Sequence, residues 1–179
     1  MLICGIDPGI TGAYALVKIQ NKTHQVLIVR DMPVTLGTGN KKFQIDGKKL
    51  YKSLKSDFET FDKPSYVNIE KQQPMPKQGV TSSFSIGQSF GIIQGVTEAL
   101  ETIFYFNTRI VTPQSWKRSL SIPKADERSS RKDHAKNKFY ELISDYEPAQ
   151  FNRVKDIDRM EACLIALYKT QPILGSYNG

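Results

Sequence analysis

Residues 5–12 read Gly5-Ile6-Asp7-Pro8-Gly9-Ile10-Thr11-Gly12, directly after the apolar run Leu2-Ile3-Cys4. A short apolar run of this kind, continued by Ile6, reads as a buried strand. Gly9 and Gly12 let the chain turn sharply into a second strand, Ala13 to Ile19. Asp7 thus stands at a strand end, before a Gly-rich turn. Asp is depleted in strands and is almost never fully buried without a partner. One reading makes Asp7 a turn-forming cap. The other makes it a metal ligand or a catalytic acid.

Two further acid positions bear on that choice. Ser65-Tyr66-Val67-Asn68-Ile69-Glu70 is again a β-type run that ends in a carboxylate. The chain leaves it through a segment that holds Pro74 and Pro76, which excludes regular structure there. The third position is Asp156-Ile157-Asp158-Arg159-Met160-Glu161, at the start of the last apolar-periodic segment. Asp158 and Glu161 are three apart and share one face of a helix. Acids at a helix N-terminus also suit the macrodipole, which is the purely structural explanation of this cluster.

Taken together, the acids can converge on one edge of a sheet. Clustered carboxylates raise one another's pKa unless a cation sits among them. Oxygen ligands without a thiolate or His cluster suit Mg²⁺ or Mn²⁺. Two such ions can clamp the attacking and leaving oxygens of a phosphodiester.

The order of motifs resembles the RuvC-type Holliday junction resolvases of the RNase H-like nuclease superfamily, especially their phage-borne members. The pieces are GIDPGITGAYALV at 5–17, NIEKQQPMPKQGVTSSFSIGQSFGIIQGV at 68–96, TPQSWKRSL at 112–120 and DIDRMEACLIAL at 156–167. The resemblance implies a Mg²⁺-dependent endonuclease, with two ions and Mn²⁺ as a substitute. It would cut four-way junctions and other branched DNA by paired nicks, as a homodimer. Asp7, Glu70, Asp158 and Glu161 would be the catalytic metal ligands. The family places two acids near the start of its last helix, commonly Asp-x-x-Asp; Glu161 lengthens the second by a methylene, and Asp156 is the reserve for Asp158. Lys117 and Lys132 match family positions used on DNA, with Arg131, Arg128, Lys136 and Lys138 as further phosphate contacts. Bacterial resolvases carry an aromatic wedge three positions after the catalytic Glu. Here Gln73 stands at that position, and Met75 is the apolar side chain left to insert at a crossover. Selectivity for branched DNA broader than the bacterial kind is the expectation.

Bulk properties agree with a nucleic-acid partner. The chain has 179 residues, a net charge of +7 and a pI near 9.3. Residues 117–138 hold eight Lys or Arg against three Asp or Glu. A basic run is often only a solvated helix face, but beside a cluster of acids phosphate contact becomes the better reading. Cys4 and Cys163 sit in apolar runs and read as small buried residues, not as a disulfide or a zinc site. No signal-peptide pattern opens the chain and no apolar run has membrane-spanning length. The expected location is cytoplasmic, in a host cell for a phage product.

The expected fold is α/β, RNase H-like, with a five-stranded mixed sheet and helices on both faces. A single domain over 1–179 is expected, with a flexible tail after about 172. Strands are predicted near 2–7, 13–19, 25–31, 65–70 and 108–112, and a loop over 33–46. Helices are predicted over 47–61, from 82 or 83 to 104, from Pro113, over 130–146 and over 157–169. Ser83, Gly87, Gly91, Gly95 and Ala99 form a stripe almost without side chains along the long helix. It packs either inside the protein or against a second copy.

Alternatives remain. Asp-x-Gly-x-Thr-Gly also resembles the first phosphate loop of actin-like and sugar-kinase folds, but those need two domains. An RNase H-like nuclease acting on structured RNA shares the opening motif. A module that holds branched DNA without cutting it is the non-enzymatic reading.

Overall fold

The computed structural model describes residues 1–21, 23–37, 43–73, 78–124 and 131–168. Three strands open it: β1 (Leu2–Asp7), β2 (Ala13–Gln20) and β3 (Thr23–Asp31). They form an antiparallel meander. Two short strands follow, β4 (Val34–Leu36) and β5 (Phe43–Ile45), paired with each other. This corrects the loop expected over 33–46. Three residues on each side are too few for a pattern of alternation to declare itself.

Helix α1 (Gly47–Phe61) leads to β6 (Tyr66–Glu70), then α2 (Val80–Phe104) and β7 (Asn107–Val111). The short α3 (Pro113–Ser119) starts with Pro113, whose missing N–H is not needed in a first turn. Thr112 caps it, accepting a bond from the Ser115 N–H. Helix α4 (Arg131–Leu142) and helix α5 (Ile157–Ala166) complete the fold, with 3₁₀ turns at Pro148–Gln150 and Val154–Asp156. The helix expected to 146 stops at Leu142. Backbone pairing wins there: the Ser144 and Asp145 N–H groups donate to the His24 carbonyl, and Val26 N–H donates to Asp145.

The main sheet has the order β3-β2-β1-β6-β7, with β1, β6 and β7 parallel. This is a five-stranded mixed sheet with helices on both faces, as expected. Strand alternation divides the core. Leu2, Cys4, Ile6, Tyr14, Leu16, Val67 and Ile69 pack with α1 and α2 residues such as Leu50, Leu54, Phe58, Ile93 and Leu100. Ile3, Ala13, Ala15 and Val17 pack with Trp116, Phe139 and the run Ala162 to Leu167. Cys4 and Cys163 are both free and buried.

At Gly5, helix α5 lies against β1 without an intervening side chain. A Cβ on Gly5 would stand 2.1 Å from the Ala162 carbonyl oxygen and 2.4 Å from the Ala166 nitrogen. Across β1 and β6, Gly5 pairs with Asn68. The buried Asn68 amide donates to the Ile165 carbonyl at 3.0 Å, at the C-terminal end of α5. Residues 5 and 68 therefore fix this helix on the two strands that end in Asp7 and Glu70.

Gly5→Ala should push α5 off the sheet. Overpacking against backbone, which has no rotamer to change, should remove about 2–3 kcal/mol, or roughly 4–12 °C of Tm in a domain of this size. Thermal unfolding followed by circular dichroism checks this; an unchanged Tm would mean that the helix moves away without loss.

Candidate active site

The period of two along a strand puts Ile3, Gly5 and Asp7 on the same face of the sheet. The same parity on β6 puts Tyr66, Asn68 and Glu70 on that face. With Gly5 opposite Asn68 and Ile6 opposite Ile69, the two acids lie at neighbouring strand ends. Helix α5 crosses this face, and its first turn carries Asp158. Carboxylate oxygens of Asp7, Asp158 and Glu161 all lie within 4.8 Å of one another. Glu70 is not in that cluster but is close enough to act on Asp7 electrostatically.

The turn after β1 is built for this. Gly12 N–H donates to the Gly9 carbonyl at 2.9 Å, and a Cβ on Gly12 would stand 2.2 Å from the Asp7 carbonyl oxygen. Only glycine fits that approach. The Gly9 N–H also donates to the Asp7 carboxylate. The capping role and the acid-cluster role thus fall on one residue.

Electrostatics mark Asp7 most strongly. Burial pushes its carboxyl up to about 8, helped by the negative charges of Glu70, Glu161 and Asp158. Burial also raises Glu70, against a lowering bond from Trp116. The Trp116 indole N–H donates to Glu70 Oε2 at 2.6 Å. Two lysines partly offset the charge: Lys117 Nζ is 3.2 Å from Glu161 Oε1, and Lys132 Nζ is 3.7 Å from Asp158 Oδ1. An all-oxygen donor set, crowded and partly removed from water, fits a hard divalent cation, which would relieve the repulsion.

Asp156 is elsewhere. It is fully buried and accepts bonds from Arg153, at 2.7 Å from N–H and at 2.9 and 2.6 Å from the guanidinium. Burial alone would raise it, but these bonds hold it below the usual carboxylate range. It joins the 3₁₀ turn to α5 and is engaged away from the acid cluster. Asp158, not the reserve Asp156, stands with Asp7.

Among the other expected residues, Gln73 is exposed just past β6, and Lys136 is exposed on α4. Lys138 pairs with Glu141 at 2.7 Å. Met75, Arg128 and the side chain of Arg131 lie outside the described residues, as does the tail after 172. Beside the turn after Asp7, a cleft of about 1000 Å³ opens toward β5 and the first half of α2. Gln44, Gln72, Gln78, Ser85 and Gln88 line it with Phe84, and none of its described lining residues is charged. Sequence reading missed the bond from Trp116 to Glu70. A buried Trp announces that its N–H needs an acceptor, but 46 residues of separation hide which one.

The sheet order, the helix placement and an acid cluster at the ends of the central strands define an RNase H-like fold of the RuvC type. RuvC of T. thermophilus in complex with a Holliday junction substrate matches with a TM-score of 0.60 at 15% identity, over 94% of this chain and 92% of that one. A second Thermus thermophilus RuvC structure matches with a TM-score of 0.59 at 15% identity, over 94% of each chain. The yeast mitochondrial Holliday junction resolvase Ydc2 matches at 0.59 and 15% identity, over 92% of this chain and 76% of that one. At this identity the likeness is one of fold. No family model and no curated protein matches the sequence. Among the described residues, no helix is long and apolar enough to cross a membrane.

The raised Asp7 carboxyl makes a stability prediction. The folded protein binds the Asp7 proton more tightly than the unfolded chain, so without metal its stability should fall as pH rises from about 4 to about 8. Asp7→Asn removes the ionisation. Metal-free Asp7→Asn should therefore melt above wild type at pH 8, and the gap should shrink as pH is lowered toward 4. Paired melting curves in chelator check this; a gap independent of pH would contradict it.

Proposed function

We propose that this protein is a metal-dependent, structure-selective endonuclease that cleaves Holliday junctions and other branched DNA by paired nicks. The observation that carries this reading is the meeting of Asp7, Asp158 and Glu161 within 4.8 Å, next to Glu70, on a RuvC-type fold. These four acids would hold Mg²⁺, with Mn²⁺ as a substitute. A bound divalent ion supplies Lewis acidity at a phosphodiester and lowers the pKa of bound water. The remaining residues bind and orient DNA. Lys117 and Lys132 join the acid site to the phosphate backbone, with Arg131 following on α4. The net charge of +7 gives the sequence-independent attraction. Gln73 and Met75 belong to the segment that follows Glu70 and would meet the crossover. The described lining of the cleft beside Asp7 offers amides and hydroxyls, which can hydrogen-bond unpaired bases.

Labelled four-way, three-way, flap and linear duplexes, and structured RNA, incubated with and without Mg²⁺, test this. Cuts on branched DNA only, and only with metal, are expected. Binding without cutting would favour the non-cleaving module, and cutting of RNA the ribonuclease reading. Asp7→Asn and Glu70→Gln should each lower cleavage at least about a hundredfold, as loss of a catalytic group does, while gel-shift affinity stays equal or tightens. Residual wild-type cutting would remove that acid from the site.

A four-way junction needs two cuts in symmetric relation, which a two-fold dimer provides. Along α2, a Cβ on Gly87, Gly91 or Gly95 would meet nothing within 4 Å. The stripe thus faces outward rather than into the protein, and Val80 (87% exposed) extends it. We place the homodimer contact there. Gly91→Leu should keep or raise monomer stability, since Leu favours helix by about 1 kcal/mol over Gly. It should also shift the dimer toward monomer in light scattering coupled to gel filtration. A monomeric wild type at micromolar concentration, with junction DNA present, would contradict the dimer.

A further inference from the structure

Trp116 is the only tryptophan in the chain. It is fully buried, in the core that α5 shares with the sheet. Packing alone would account for the ring. It does not account for the direction of the polar edge. A buried indole N–H takes whatever acceptor is near, and here that acceptor is a carboxylate of the acid site, at 2.6 Å. The bond engages one lone pair of Glu70 Oε2, which leaves Oε1 and the second lone pair of Oε2 for a cation. Glu70 has two single bonds between its carboxylate and Cβ, so without a tether its carboxylate samples several rotamers.

The tether is itself fixed. Thr112 caps α3 through bonds to Ser115, and the Lys71 N–H donates to the Val111 carbonyl at 2.7 Å, joining the end of β6 to the strand that feeds α3. The neighbouring Lys117 Nζ lies 4.8 Å from the Trp116 ring centroid and reaches Glu161. One turn of a short helix therefore touches two of the four acids.

Resting on the reading of those acids as metal ligands, we infer that Trp116 is a positioning residue that sets the Glu70 carboxylate for metal through its indole N–H. The group acts through Glu70 and touches neither metal nor substrate. Outer-shell partners of this kind change metal affinity or activity 10- to 100-fold.

A single-atom change tests it. Because the chain has one tryptophan, biosynthetic replacement by 3-benzothienylalanine exchanges the N–H for sulfur at Trp116 alone. Trp116→Phe serves as the second variant, since it also lacks the donor. Mn²⁺ binding by calorimetry, half-maximal Mn²⁺ for junction cleavage, Tm in chelator and junction affinity without metal are measured on each. The expected result is Mn²⁺ affinity at least about tenfold weaker in both variants. Junction affinity should be unchanged, and the Tm of the benzothienyl protein should lie near wild type. Equal Mn²⁺ affinity in wild-type and benzothienyl proteins would overturn the inference while leaving the nuclease reading intact. Weakened Mn²⁺ binding in the benzothienyl protein, beside a wild type that binds Mn²⁺ but cuts no nucleic acid, would support the inference and sink the nuclease reading. A wild type that takes up no Mn²⁺ at millimolar concentration would overturn both.

Discussion

Everything in the site depends on how closely α5 approaches β1. Gly5 presents bare backbone, and α5 answers with Ala162 and Ala166, whose main-chain atoms occupy the place of a Gly5 side chain. Helices on sheets normally stand off by the length of the intervening side chains. Here that spacer is missing at one point, two residues before Asp7. The first turn of α5 is thereby lowered onto the strand end, and Asp158 and Glu161 reach Asp7. Asn68 does the matching work from β6 by holding the other end of the helix through its amide.

This placement works against stability in isolation. Like charges are gathered where water is scarce, and Asp7 shows the strain as a carboxyl held near 8. The lysines at Glu161 and Asp158 reduce the repulsion without removing it. The far side of the sheet carries a contrasting arrangement. Buried Asp57 accepts from Tyr14 at 2.7 Å and from Arg30 Nη2 and Nε at 2.8 and 2.9 Å. That carboxylate is satisfied by fixed donors. Asp156 is likewise satisfied, by Arg153. The difference separates these acids from the cluster at Asp7: the former own their counter-charges, and among the described residues the latter's four carboxylates share Lys117 and Lys132.

Much of the fold was legible because the sheet and helices obey strong periodicities. The apolar runs of β1, β2 and β6 bounded by Gly and Pro, and the helical spacing of α1, told where the elements lie. The β4–β5 hairpin was not legible, since three-residue strands carry too little pattern. The end of α4 was missed because Ile143 and Tyr146 continue the helical spacing while the backbone between them, at Ser144 and Asp145, is already committed to β3. Ile103 shares the helical apolar spacing of Ile93, Val96 and Leu100 on α2 but is 47% exposed. Near the end of that helix, spacing alone does not fix which face the sheet covers.

The sequence by itself determined that Asp7 and Glu70 each end a β-type run, that Asp158 and Glu161 share a helix face, and that the chain is strongly basic. These are local facts, fixed by periods of two and of three to four residues. Tertiary structure decided the rest. It chose Asp158 over Asp156, because Arg153 captures the latter before it can turn to the sheet. It brought Trp116 to Glu70 across 46 residues of sequence. It also turned the small-residue stripe of α2 outward. Each of these depends on which backbone surfaces come into contact, and such contacts are set by the whole packed chain, not by any window of residues within it.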